Sequence, residues 1–216
     1  MADPRDTVLD TDSLPDDSLY RIRRYISGRA AVVSVYVSTA NFLGDDDRTY
    51  GPGIIRRLSQ LEEWRRSDWK ALAITLNAAS TLQIDVDAFP PHAMSATYIY
   101  GCYPLFDVLE LKRQHCVKVR TRHCLNDAGA EVYLKLARFE FEVGALEREV
   151  RMYYALRGSA LSPALLGYVF EDTRDRIVGF IIDKLVGRYP ASAEDCAACA
   201  SSEAVAGYIS PSTQMQ

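Results

Sequence analysis

A lysine and a glutamate, fourteen residues apart, form the first pair of side chains in this sequence that could do chemistry. Lys135 stands alone in the apolar, β-rich run VYLKLARF (132–139), and Glu149 lies on the amphipathic stretch 141–158. A buried ammonium group is costly unless a carboxylate keeps it charged and oriented. The pair is therefore either a clamp for a phosphate group or a surface lysine beside an unrelated, solvated glutamate.

A second carboxylate on the same stretch competes for the role of partner. The tripeptide Glu147-Arg148-Glu149 offers two carboxylates on different faces of a helix. We favour Glu149 because it precedes Val150, which belongs to the apolar stripe of that helix and is expected to be buried.

Cysteine and histidine pairs raise the question of a metal site. Cys196 and Cys199 form a CxxC motif in an alanine-rich segment, with no second motif and no histidine nearby, so a zinc site lacks ligands. His115-Cys116 and His123-Cys124 repeat at a spacing of eight residues. On one strand, the two histidines would stand about 26 Å apart. We therefore expect no metal in either place.

Composition excludes several classes of partner. The chain has 216 residues and a formal net charge of −4, which gives no general attraction to nucleic acid or to an anionic membrane. The acidic start carries no signal peptide, and no apolar run approaches the about 20 residues that span a bilayer. Five cysteines without an export signal indicate reduced thiols. We expect a cytoplasmic protein, with the nucleus as the alternative.

The amino-terminal half reads as an α+β extension over residues 16–104, after a flexible acidic start over 1–15. Apolar residues at helical spacing predict a short helix over 16–28, and the β-branched run 31–40 predicts a strand. A loop over 41–53 and a helix over 54–66 follow. Alternating apolar residues then predict a β-hairpin from 69–77 and 82–89, and a further strand over 96–103.

The second half, residues 105–188, is a denser series of strands around one helix. Residues 106–112 and 115–124 are predicted as strands that flank a tight turn at Arg113-Gln114. A third strand over 130–139 leads into the helix 141–158, and 164–172 with 175–185 form a hairpin. Pro190 and Ser192 open a helix in the last segment, 189–216, which ends in a polar tail.

Four motifs in series carry a resemblance to a known family. VYLKLARF (132–139), LEREVRMYYAL (146–156), SPALLGYVFED (162–172) and VGFIIDKLVGR (178–188) resemble the motifs of fungal kinase-like proteins related to aminoglycoside and choline kinases. The resemblance implies an α+β fold. In it, a protein-kinase-like small lobe, an antiparallel five-stranded sheet with one helix, follows an α+β extension.

The same resemblance implies roles for five residues. Lys135 would contact the α- and β-phosphates of ATP, and Glu149 would hold that lysine. Asp183, Lys184 and Leu185 would form the hinge whose backbone groups bind the adenine edge.

The departures from the family pattern limit the activity that we expect. The turn LKRQH (111–115), expected to cover the phosphates, has no glycine to let backbone N–H groups approach them. Residues 186–216 contain one aspartate, no histidine and no asparagine, so no catalytic or Mg²⁺-binding motif can be written there. We therefore expect no catalytic residue, no Mg²⁺ site, and ATP as the one candidate cofactor.

Three functions follow as alternatives. The first is a truncated or degenerate kinase-like protein that retains at most weak ATP binding and cannot transfer phosphate alone. The second is a scaffold that pairs with another protein, or with itself, through the exposed apolar face of the small lobe. The third, an enzyme of unrelated chemistry on the same scaffold, has no candidate residues.

Overall fold

The computed structural model describes residues 2–38, 42–44, 47–159 and 162–184. This part of the chain forms two β-sheets and two α-helices, and the fold is α+β. In the first sheet, all neighbouring strands are antiparallel except the third and fourth, which are parallel. Its five strands, in their order across the sheet, are β1 (Thr7–Ser13), β2 (Ser18–Ile26), β3 (Arg29–Val37), β4 (Ala71–Leu76) and β5 (Leu82–Val86).

The amino-terminal segment differs from the sequence prediction. Thr7–Ser13, inside the stretch expected to be flexible, pairs with β2 as an edge strand. The predicted helix over 16–28 is wrong, because β2 pairs on both sides, with β1 and with β3. The helical spacing of its leucine and isoleucines competed with a period of two, in which Tyr20 and Ile22 face one side and Arg21 faces the other.

Helix α1 (Gly51–Leu58) covers one face of the first sheet. Its residues Ile54 and Leu58 are buried in one cluster with Tyr20 and Ile22. The helix is shorter than the predicted span 54–66, since it ends at Leu58 and is followed by a separate 3₁₀ turn, Glu63–Arg65. The hairpin of β4 and β5 is confirmed. The strand predicted over 96–103 is wrong, because Ala96–Tyr98 forms a 3₁₀ turn.

The second sheet contains six strands rather than the five predicted. Neighbouring strands are antiparallel except at one edge, where Leu105–Asp107 runs parallel to Leu165–Glu171. The sixth strand arises because the stretch predicted as one strand over 115–124 contains a turn. In the order β6-β10-β11-β9-β8-β7 across the sheet, the strands are β6 (Leu105–Asp107), β10 (Leu165–Glu171), β11 (Thr173–Asp183), β9 (Glu131–Leu136), β8 (Thr121–Leu125) and β7 (Lys112–Lys118).

The first hairpin of this sheet turns at Val119-Arg120, and the turn predicted at Arg113-Gln114 is wrong. Arg113 and Gln114 lie inside β7, where the register with β8 shifts between Lys112 and His115. Arg113 takes a positive φ of 52°. A β-bulge of polar residues resembles a turn in sequence, because both interrupt the alternation of a strand.

Helix α2 (Glu140–Ala155) confirms the predicted helix and packs on one face of the second sheet. Leu146 and Val150 are buried there against Phe180 and Ile182 of β11. The opposite face of the sheet holds a second apolar cluster that includes Leu134 of β9. Tyr133 and Lys135 alternate with the residues of this cluster, so their side chains point to the side of α2.

The two sheets meet through charged side chains. Arg21 of β2 and Glu171 of β10 are both almost fully buried and form an ion pair between the sheets. The predicted helix after Pro190, the Cys196/Cys199 motif and the hinge residue Leu185 lie outside the described residues.

Candidate functional site

Lys135 and Glu149 come together beneath the second sheet. The Nζ atom of Lys135 lies 3.5 Å from Oε2 of Glu149, and the two side chains are 20% and 31% exposed. Burial of Leu146 and Val150 fixes the rotation of α2 about its axis, and this rotation points the neighbouring Glu149 towards β9. The pair expected from the sequence is thus formed, in a position that water and solutes can reach.

Arg120 joins this pair from the turn between β7 and β8. Its Nη2 atom donates to Oε1 of Glu149 at 3.3 Å, so that one carboxylate lies between two cations. The register explains the approach, since Thr121 stands opposite Lys135 and the backbone N–H of Leu136 donates to the Arg120 carbonyl. Sequence analysis missed Arg120 because the turn was placed six residues too early; a correctly placed turn would have put the arginine at the strand ends nearest Lys135.

Hydrogen-bonding capacity remains unused in this cluster. Oε2 of Glu149 and Nη1 of Arg120 are buried and have no hydrogen-bond partner among the described residues. Tyr153 lies one turn further along α2. Burial raises the pKa of Tyr153, and the Glu149 carboxylate raises it further. The arrangement of Lys135, Glu149 and Arg120 is called the Lys135 cluster below.

Glu147, the competing carboxylate, has a different partner. It accepts a hydrogen bond of 2.7 Å from the backbone N–H of Ser95, and it thereby ties the segment before β6 to α2. The preference for Glu149 over Glu147 agrees with this geometry.

The two described hinge candidates lie at the end of β11. Asp183 stands opposite Val132 and Phe180 stands opposite Lys135, so the hinge position is about 10 Å from the lysine along the sheet. The Asp183 N–H is occupied by the Ala164 carbonyl. Lys184 pairs with Glu131, and this hydrogen bond raises the pKa of Lys184.

Three rings line the sheet face between Lys135 and that end of β11. His115 and His123 face each other across β7 and β8 with ring centroids 4.8 Å apart, and the ring of Tyr133 lies 5.5 Å from that of His123. The expectation that the histidines share one strand, too far apart to meet, is wrong because the chain turns between them. We call these rings the aromatic row. In the described ranges, no group of three or more histidines, cysteines, aspartates or glutamates is placed to hold a metal ion.

Comparison with known proteins gives no relative. No protein-family model, no curated protein and no solved structure matches this chain. In the part of the chain that the structure describes, no helix has the length and apolar character needed to cross a membrane.

Proposed function

We propose that this chain binds a nucleoside polyphosphate such as ATP on the α2 side of the second sheet. The observation that carries the proposal is the Lys135 cluster, in which Arg120 and Lys135 flank one carboxylate. Two cations against one anion leave an excess of positive charge that attracts phosphate oxygens. Lysine and arginine side chains then replace the backbone contacts that a glycine-rich turn would provide.

The aromatic row supports a nucleotide rather than a simple anion. Tyr133 lies two residues from Lys135 on the same side of β9, about 7 Å along the strand. This separation allows a base to stack on the ring of either Tyr133 or His123 while phosphates reach the Lys135 cluster. The kinase-like resemblance implies the same direction, from Lys135 towards Asp183 and Lys184. The proposal concerns binding and includes no phosphoryl transfer.

A thermal-shift titration with ATP, with and without Mg²⁺, tests the proposal. A ligand that binds only the folded state raises the unfolding midpoint, by an amount equivalent to about 2.7 kcal/mol at 100 times its Kd. We expect a saturable increase for the wild type and no increase for Lys135→Ala. Lys112→Ala, which removes an exposed lysine from β7 of the same sheet, should respond as the wild type does. An unchanged midpoint at millimolar ATP, or an equal increase in Lys135→Ala, would contradict the proposal.

Protein docking is the second candidate, and exposed valines favour it. Val117 and Val119, at the tip of the β7–β8 hairpin, are 48% and 64% exposed. Apolar side chains at such a tip are suited to contact with a second copy of the chain or with another protein. Sedimentation analysis of the wild type and of Val119→Asp tests self-association: a concentration-dependent dimer that the aspartate abolishes supports it, and a monomer at all concentrations contradicts it.

A further inference from the structure

A small cavity lies where the two sheets meet, on the side of the second sheet opposite the Lys135 cluster. It has a volume of about 300 Å³. Leu9, Val108 and Leu111 form its apolar part, and Arg21, Arg23 and Arg122 bring three guanidinium groups to its wall. A cavity that combines these two kinds of lining is suited to a small molecule with one charged and one apolar end.

Strand alternation brings the arginines to this place. Arg21 and Arg23 are two residues apart on β2, on the face opposite the Tyr20 and Ile22 side chains that pack on α1. Arg122 lies between Thr121 and His123 on β8, so it points away from the aromatic row and towards the first sheet. The cavity and the Lys135 cluster are therefore on different faces of the second sheet.

The arginines around the cavity outnumber their carboxylate partners. Asp10 pairs with Arg21 at 2.7 Å and with Arg122 at 2.5 Å. Glu171 pairs with Arg21 and, at 3.2 Å, with Arg176.

Arg23 makes no ion pair within the described residues, which leaves four guanidinium groups against two carboxylates. The neighbouring Asp172 pairs with Arg176 and with Lys70. When Asp172 and Lys70 are included, there are five cations and three carboxylates, so the excess of two positive charges is unchanged.

Two buried donors at the cavity have no acceptor within the part of the chain that the structure describes. The Nε atoms of Arg21 and Arg23 are both buried and lack a hydrogen-bond partner there, and Arg21 is only 1% exposed. A buried donor without an acceptor carries a desolvation cost that an anionic oxygen would remove. The surrounding charges also favour an added anion. Burial is the main cause that lowers the pKa of Arg21 to about 10, and the nearby Arg122 and Arg176 lower this pKa as well, against the opposing effect of Asp10.

We propose that this cavity binds a small organic oxyanion, a carboxylate or a phosphate monoester with a compact apolar group. The anionic oxygens accept hydrogen bonds from Arg21 and Arg23. The apolar group packs against Leu9, Val108 and Leu111. A volume near 300 Å³ limits the ligand to about the size of benzoate or phenyl phosphate.

Calorimetric titration in a Lys135→Ala background tests this proposal separately from nucleotide binding at the Lys135 cluster. The probes are benzoate, phenyl phosphate and inorganic phosphate, each at constant ionic strength. We expect one molecule of benzoate or phenyl phosphate per chain, with the preferred probe identifying the head group, and weaker binding of inorganic phosphate. Replacement of Arg23 by glutamine should weaken the preferred probe by about tenfold or more, because a charge-assisted hydrogen bond is lost.

Arg29→Gln is the matched control, since it removes an exposed arginine from β3 of the same sheet. It should bind the probes as the Lys135→Ala parent does. If the Arg23→Gln variant does not unfold cooperatively, the Arg23→Lys variant replaces it. Binding should still be weaker than in the parent, because lysine has a single donor group. The proposal is overturned if neither organic probe binds at a ratio of one, or if the Arg23 and Arg29 variants bind equally.

Discussion

At the scale of single residues, the Lys135 cluster is suited to binding rather than to stability. Partly exposed ion pairs contribute about 0–1 kcal/mol to the free energy of unfolding, and Lys135 and Glu149 are 20% and 31% exposed. Arg120 at 30% exposure adds a second pair of the same kind. The fold therefore does not depend on these charges, and they can exchange partners when a ligand arrives.

Glu149→Gln tests whether the Glu149 carboxylate weakens or strengthens the binding of a polyphosphate. Because Glu149 neutralises Lys135 and Arg120, its removal should strengthen ATP binding, by about 2- to 5-fold at a partly exposed site where water screens the charges. The unfolding free energy should change by no more than about 1 kcal/mol. Calorimetry with ATP measures the first change, and urea unfolding measures the second. Weaker ATP binding would contradict this account and would show that Glu149 serves to orient the lysine.

His92 supplies a prediction about pH. Its buried ring donates from Nε2 to the Ala137 carbonyl at 2.9 Å, and burial lowers the pKa of His92 from 6.5 to about 4. Between pH 4 and pH 6.5, His92 binds a proton more readily in the unfolded chain than in the folded chain. His92 therefore contributes stability above pH 6.5 that is lost as the pH falls towards 4.

Urea unfolding of the wild type and of His92→Gln across this range isolates the contribution of the imidazole. The wild-type free energy should fall more steeply on acidification, with an excess slope of at most about 1.4 kcal/mol per pH unit. Parallel curves would mean that His92 is not held neutral in the folded protein.

At the scale of elements, a glycine on β11 fixes the distance to the strand that carries Lys135. A Cβ atom added to Gly179 would lie 2.4 Å from the Lys135 carbonyl oxygen and 3.3 Å from Cα of Leu136. Both are backbone atoms of β9, so the strand itself would have to move. The spacing of β9 and β11, and with it the position of the Lys135 side chain, depends on this glycine.

Gly179→Ala should lower the unfolding free energy by about 1–3 kcal/mol, as overpacking typically does. It should also reduce the ATP-induced thermal shift, because β9 moves relative to α2. Gly144→Ala is the matched control: it lies exposed on α2, where a Cβ meets only Arg148 Nη1 at 3.7 Å. That substitution should raise stability by about 0.5–1 kcal/mol through helix propensity. Equal effects of the two substitutions in urea unfolding would contradict this account.

Sequence patterns predicted the elements that have one dominant period. Helix α2 and the hairpins β4–β5 and β10–β11 were found because their apolar residues fit a single spacing. Strand β2 was missed because its two isoleucines fit both periods, with Leu19 at helical spacing and with Tyr20 at alternate positions, and only the pairing with two strands decides between them. The bulge at Arg113 displaced the predicted turn, and this error hid Arg120 from the candidate site.

At the scale of the whole molecule, the contact between the sheets has no local sequence signal. Arg21 and Glu171 are 150 residues apart, and Arg122 and Asp10 are 112 residues apart. An arginine on β2 reads as a solvated residue until the second sheet covers it. The excess of arginines, and the cavity that they line, likewise arise only when the two sheets are in contact.

The Arg21–Glu171 pair should couple the stability of the two sheets. Removing one member of a buried ion pair leaves the other charge uncompensated, at a cost of about 3–5 kcal/mol. Glu171→Leu would leave both Arg21 and Arg176 without this carboxylate, whereas Arg21→Met would leave Asp10 its bond to Arg122. We therefore expect Glu171→Leu to be the more destabilising of the two substitutions.

A double-mutant cycle measured by urea unfolding provides the test. The double variant should lose less than the sum of the single losses, with a coupling of about 0.5–3 kcal/mol. Arg5 and Asp3 form the control pair, since both belong to the start of the chain and Arg5 is 56% exposed. Their coupling should be much weaker than that of Arg21 and Glu171, because water screens exposed charges. Strict additivity at Arg21 and Glu171, with two separate unfolding transitions, would mean that the sheets are stable independently and that their charged contact contributes nothing to either.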